Sequence, residues 1–137
     1  MGRIEVPVAP GENLRTRYRF AEFIDAGAVE LVQPNVVRVG GITPFLDIAG
    51  LAADRGVELA PHLLLELSAQ LALALPGAHL VEAVEDASFE ELGALAEPSP
   101  VAVAGATVST TGRPGLGVRF TSEQPGAAAS ARPTEEP

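Results

Sequence analysis

Residues 29–56 read VELVQPNVVRVGGITPFLDIAGLAADRG, and one complete strand–helix unit lies within them. Val29 to Gln33 is a short apolar strand, closed by Pro34. Gly40-Gly41-Ile42-Thr43-Pro44 then opens a helix, with Thr43 expected as its N-cap and Pro44 at its first position. Phe45, Ile48, Ala49 and Ala52 recur at helical spacing and predict its buried stripe, and Gly56 ends it. The same unit recurs on either side. Ile4 to Ala9 is an alternating strand stopped by Pro10-Gly11. A helix follows near Thr16, with Phe20, Phe23 and Ile24 on one face and Gly27 as its stop. Downstream, Val57 to Ala60 is a third strand followed by Pro61, and a helix runs from about Leu64 to Leu75, with Leu64, Leu67, Ser68, Leu71 and Leu75 on one face. Pro76-Gly77 ends it, and Leu80 to Val84 is the fourth strand. Strands alternating with helices over short loops predict a parallel α/β sheet built from right-handed crossovers.

The pattern changes after Val84. Glu85, Asp86, Glu90 and Glu91 make an acidic, solvated stretch without the spacing of a calcium loop. Val101 to Val103 and Ala106 to Val108 read as weak strands, and Pro114 to Gly117 as a turn into Val118-Arg119-Phe120. Residues 121–137, rich in Pro, Gly, Ala, Ser and Glu, read as a disordered tail behind a domain at 1–120. Gly112, Gly115 and Gly117 do not form a dinucleotide fingerprint, since no helix follows them.

Composition narrows the chemistry. The chain has 137 residues, too few for a complete eight-stranded α/β barrel of roughly 250. Its 9 basic and 18 acidic residues give a formal charge of −9, which argues against nucleic acid or an anionic membrane as a partner. All nine cations are arginine, so no lysine can form a Schiff base or act as a base. The absence of cysteine removes disulfides, thiolate catalysis and thiolate zinc sites. No leader is read at the N-terminus, the apolar run Leu71 to Leu75 falls far short of the ~20 residues that span a bilayer, and the expected compartment is the cytoplasm.

Ligands of parallel α/β folds bind beyond the carboxyl ends of the strands. The polar residues found there are Glu12, Asn35, His62 and Glu82, at intervals of 23, 27 and 20 residues. One polar group per strand–helix unit places four chemical groups on one rim. Strand ends expose polar residues in any α/β protein, so spacing alone leaves function open. His79 reads as a surface residue, Glu66 as a solvated or rim-facing helix position, and Arg38 as either a salt-bridge partner or a contact for an acidic substrate.

Val8-Ala9-Pro10-Gly11-Glu12-Asn13, Gln33-Pro34-Asn35 through Gly40-Gly41-Ile42-Thr43, Ala60-Pro61-His62-Leu63 and Val81-Glu82 together resemble the enolase superfamily. Within it they are most similar to the mandelate racemase branch and its galactarate/talarate-type sugar-acid dehydratases. The resemblance runs from Ile4 to Phe120. It implies half of a (β/α)8-type barrel, strands five to eight, with a C-terminal β extension. It also implies a Mg²⁺-dependent dehydratase or racemase of sugar acids, in which the proton α to a carboxylate is removed and the metal stabilises the enediolate. Glu12 would be a metal ligand, suited as a hard oxygen donor. His62 would be the general base, or the acid that helps a hydroxyl leave. Glu82 would hydrogen-bond the developing enediolate.

Asn35 departs from the pattern, because the family carries an aspartate there that orients the histidine. An amide offers no charge and can select the other tautomer; the equivalent change in a serine-protease triad costs about 10⁴ in turnover. The family's other two metal carboxylates, its lysine base and its capping domain have no counterpart in the chain. The expectation is therefore an incomplete Mg²⁺ site and an inactive isolated chain, needing a complementing N-terminal half. The alternative is a non-enzymatic half-barrel that covers its open edges by self-association as a homo-oligomer.

Overall fold

The computed structural model describes residues 6–76 and 80–122. Its elements in chain order are α1 (Arg17–Asp25), β1 (Leu31–Val32), α2 (Ile42–Asp54), β2 (Glu58–Leu59), α3 (Leu65–Ala74), β3 (Val101–Ala104) and β4 (Thr107–Thr110). β1 and β2 pair in parallel, Leu31 with Glu58 and Val32 with Leu59, with α2 as the crossover between them. Phe20 and Ile24 of α1, Val32 of β1, Phe45 and Ile48 of α2 and Leu59 of β2 form one core. Phe20, Val32, Phe45 and Ile48 are completely shielded from solvent.

α1 starts where the sequence places it. Thr16 has extended backbone, and its hydroxyl accepts the Arg19 N–H at 3.4 Å, satisfying one of the donors a helix start leaves open. Gly27 follows the C-cap Ala26. Thr16→Ala is expected to cost about 1 kcal/mol, read as a shifted urea midpoint at constant slope; an unchanged midpoint would show that this cap contributes nothing.

α2 differs from expectation by two residues. Its N-cap is Gly41, at φ 115° and ψ −168°, not Thr43. Side-chain-bearing residues avoid that backbone conformation, so the glycine pair moves the helix start upstream. Pro44 becomes the third helical residue, where its missing N–H would have had no intrahelical acceptor anyway. The first i→i−4 bond is Phe45 N–H to the Gly41 carbonyl, 3.2 Å.

Neither outer segment forms a strand among the described residues. Residues 6–9 of the expected Ile4–Ala9 strand are irregular, Ile4 itself lying outside the described residues. Leu80 to Val84 is likewise irregular. Among the described residues, single main-chain links at Pro10 and Glu82 stand where ladders were expected. Gln33 N–H donates to Pro10 O at 2.9 Å, and Glu82 N–H donates to Pro61 O at 3.3 Å. Between them, His62 N–H donates to Pro34 O at 3.1 Å. All three acceptors are prolines, residues that lack an N–H and so stop a ladder while still offering a carbonyl.

β3 and β4 form an antiparallel hairpin turning through Gly105 and Ala106, with the second strand one residue later than expected. Leu95 bridges antiparallel to Phe120, and the Phe89 and Phe120 rings meet edge to face at 5.1 Å. The hairpin region packs on α3 and shields a face of it that periodicity alone reads as polar. Glu66 is consequently fully buried and not solvated; its Oε1 accepts the Glu90 N–H at 3.1 Å. In the acidic stretch, the Ser88 hydroxyl, then the Ser88 N–H, hold the Glu91 carboxyl below the usual glutamate range. His79 and residues 123–137 lie outside the described residues.

Candidate functional site

Asn35, Glu82 and Glu12 come together around the imidazole of His62. His62 follows Pro61 at the end of β2, and only a tenth of its side chain is exposed. Asn35, buried, lies on one side of the ring, its Nδ2 3.3 Å from His62 Nδ1 and 3.4 Å from the His62 main-chain oxygen. On the other side, His62 Nε2 is 3.6 Å from Glu82 Oε2 and 3.9 Å from Glu12 Oε2. Two acidic side chains and an amide thus bracket both ring nitrogens.

Local structure fixes each member. Asn35 follows Pro34 in the turn after β1, where its Oδ1 accepts the N–H groups of Val37 and Arg38, both at 3.1 Å. This is the self-bonded turn that asparagine favours. Glu82 is tied back by the Leu63 N–H, which donates to its Oε2 at 3.1 Å. Glu12 is half exposed and held by Arg38, whose Nη1 lies 3.0 Å from Glu12 Oε1 and 3.1 Å from the Glu12 main-chain oxygen. The same nitrogen donates to Asn13 Oδ1 at 2.6 Å. Of the two readings of Arg38, the structure shows the ion pair.

Two features of the site were not visible in the chain. Leu63 and Leu64, directly after His62, both have left-handed backbone, at φ 53° and 52°. Non-glycine residues are uncommon there, and leucine carries no local signal for it. The second is Gly11, one residue before Glu12, at φ 155°. A side chain at Gly11 would place its Cβ 2.5 Å from the Gln33 carbonyl carbon, so the backbone of the first unit presses directly on that of the second. Pro10-Gly11 reads in sequence as a strand stop; the close approach it permits depends on a tertiary neighbour.

Carboxylate oxygens suit a hard divalent cation. Among the described residues, however, no three His, Cys, Asp or Glu side chains are grouped to hold a metal ion. Nor is any helix there long and apolar enough to cross a membrane.

The family described as enolase C-terminal domain-like matches residues 2–124. The L-talarate/galactarate dehydratase of Salmonella typhimurium is 42% identical over 73 residues, which is 53% of this chain and 18% of that protein. The D-galactonate dehydratase of Ralstonia nicotianae is 42% identical over 57 residues, 42% of this chain and 15% of that protein. Among solved structures, the L-talarate dehydratase of a Polaromonas species, complexed with Mg and L-glucarate, superposes with TM-score 0.73 at 36% identity. It covers 88% of this chain, which spans 31% of it. This chain therefore spans less than a third of the relatives it matches. With this family matching nearly the whole chain, the chain belongs to the enolase C-terminal domain-like family of the enolase superfamily.

Proposed function

We propose that this chain is the back portion, strands five to eight, of a Mg²⁺-dependent barrel that dehydrates or racemises a sugar acid by way of an enediolate. The convergence of Glu12, Glu82 and Asn35 on His62 carries this reading. Three residues meet at the imidazole of a fourth, as a shared catalytic rim requires and a scatter of polar groups does not. The kinship with sugar-acid dehydratases supplies the substrate class, a polyhydroxy carboxylate, and the complex of the Polaromonas enzyme supplies the metal.

In this reading His62, Asn35 and Glu82 form the catalytic group. His62 presents Nε2 to the reacting carbon and its oxygens. Glu82, oriented by the Leu63 N–H, stands beside it where the enediolate forms. Glu12 is a metal ligand, but among the described residues its carboxylate has no grouped partners to complete a magnesium site. One half-exposed carboxylate already paired with Arg38 falls short of an octahedral shell, so the remaining ligands come from the other portion of the barrel, on the same or another polypeptide. Bound there, magnesium would act as a Lewis acid toward the substrate carboxylate. The isolated chain is expected to be inactive.

The test is reassembly. The front portion of a related dehydratase, carrying its capping domain and first four strands, is mixed with this chain and assayed on sugar acids with Mg²⁺. Magnesium-dependent turnover by the mixture and by neither part alone is the expected result. No turnover from a folded, associated pair would overturn the proposal. The two-stranded β1–β2 sheet also favours a second reading, in which copies of this chain associate through its open edges. Size-exclusion chromatography of the chain alone separates the two, since a stable monomer excludes self-association.

A further inference from the structure

The orientation of the Asn35 amide is fixed from both ends. Its Oδ1 accepts two main-chain N–H groups, from Val37 and Arg38, and its Nδ2 donates to the main-chain oxygen of His62. Reversing the amide would set donor against donor twice and oxygen against oxygen once. With Nδ2 held in this way, the atom 3.3 Å away, His62 Nδ1, faces an N–H and must offer its lone pair. A neutral imidazole carries one proton, which then resides on Nε2. The far side of the ring agrees. Nε2 faces carboxylate oxygens of Glu82 and Glu12, which attract an N–H and repel a lone pair.

We propose that Asn35 is a positioning residue that locks His62 in the Nε2–H tautomer, making this histidine a neutral hydrogen-bond donor to anionic oxygen and not a base at Nε2. The tautomer stands on this geometry alone, while its chemical consequence rests on the dehydratase reading. A ring with its proton on Nε2 has no lone pair there to receive the substrate's α-proton. Nor is it a ready acid, because losing that proton would leave an imidazolate. It can polarise, presenting a fixed N–H to an oxygen that gains charge as the enediolate forms. The α-proton then passes to a group other than His62.

The experiment is two-bond ¹H–¹⁵N correlation of the imidazole nitrogens in the uniformly labelled full chain, at a pH well above the ordinary histidine value of about 6.5. The chain has 2 histidines, and a His79→Gln variant assigns the spectrum. The expected pattern puts the protonated, pyrrole-type nitrogen of His62 at Nε2 and the pyridine-type nitrogen at Nδ1. In Asn35→Asp, whose carboxylate can only accept, the proton is expected to move to Nδ1. A wild-type proton on Nδ1, in a neutral or a cationic ring, overturns the proposal, and this outcome does not depend on whether Asn35→Asp folds. A folded Asn35→Asp whose spectrum keeps Nε2–H overturns the role of Asn35. No substrate is used, so a failed sugar-acid assay and a failed tautomer assignment remain distinguishable.

Discussion

His62→Ala, in this chain reassembled with the front portion of a related barrel, is expected to lower kcat for a sugar acid by about 10²–10³-fold, the usual loss for one donor to a developing oxyanion. The loss should fall on kcat more than on KM, since the charge it stabilises grows only as the enediolate forms. His62→Gln supplies an amide N–H of similar reach and should recover part of that loss. A base offers no such route to rescue, because glutamine cannot take a proton. Steady-state kinetics of the two variants therefore separate donor from base. Glutamine no better than alanine would sink the donor role, and full activity in both would remove His62 from the reaction.

Gly11→Ala is expected to destabilise the chain by about 2–5 kcal/mol, combining a left-handed backbone penalty with overpacking. Its Cβ would meet the carbonyl carbon, oxygen and nitrogen of Gln33 at 2.5–2.6 Å, and backbone cannot yield as the tip of a flexible side chain can. Relief requires the first unit to move away from the second, lengthening the Gln33 N–H to Pro10 O bond and displacing Glu12 from His62. Urea unfolding followed by circular dichroism measures this directly. A midpoint within about 0.5 kcal/mol of the parent would mean that the contact opens freely.

The sequence shows the helices well because their signals are local. The Thr16 cap, the Phe20–Ile24 stripe and the Phe45–Ala52 stripe each follow from residues within two turns of one another. The start of α2 lies upstream of its sequence signal because Thr43 and Pro44 imitate a cap, whereas Gly40 and Gly41 carry the unusual backbone. The outer strands were overstated because alternation in Ile4–Ala9 and apolarity in Leu80–Val84 report a preference for extended chain, not a neighbour to pair with. Glu66 was misread because its burial depends on the distant hairpin region and the Glu90 N–H, which helical spacing cannot foresee. At the rim, Glu12, Asn35 and His62 stand just after their expected strands, whereas Glu82 lies within its own. Their separations of 3.3–3.9 Å from the imidazole, and the grip of Arg38 on Glu12, depend on loop geometry without a sequence signature.

The proline carbonyls have a practical corollary. Pro10, Pro34 and Pro61 each receive one amide from the following unit, so Gln33, His62 and Glu82 carry the stitches that hold neighbouring repeats in step. A stitch sealed at both flanks should exchange deuterium slowly, and one at a loose border quickly. These three amides are thus native gauges of assembly: a rise in protection at Gln33 and Glu82, with His62 already slow, is the expected sign of closure in the reassembly proposed above.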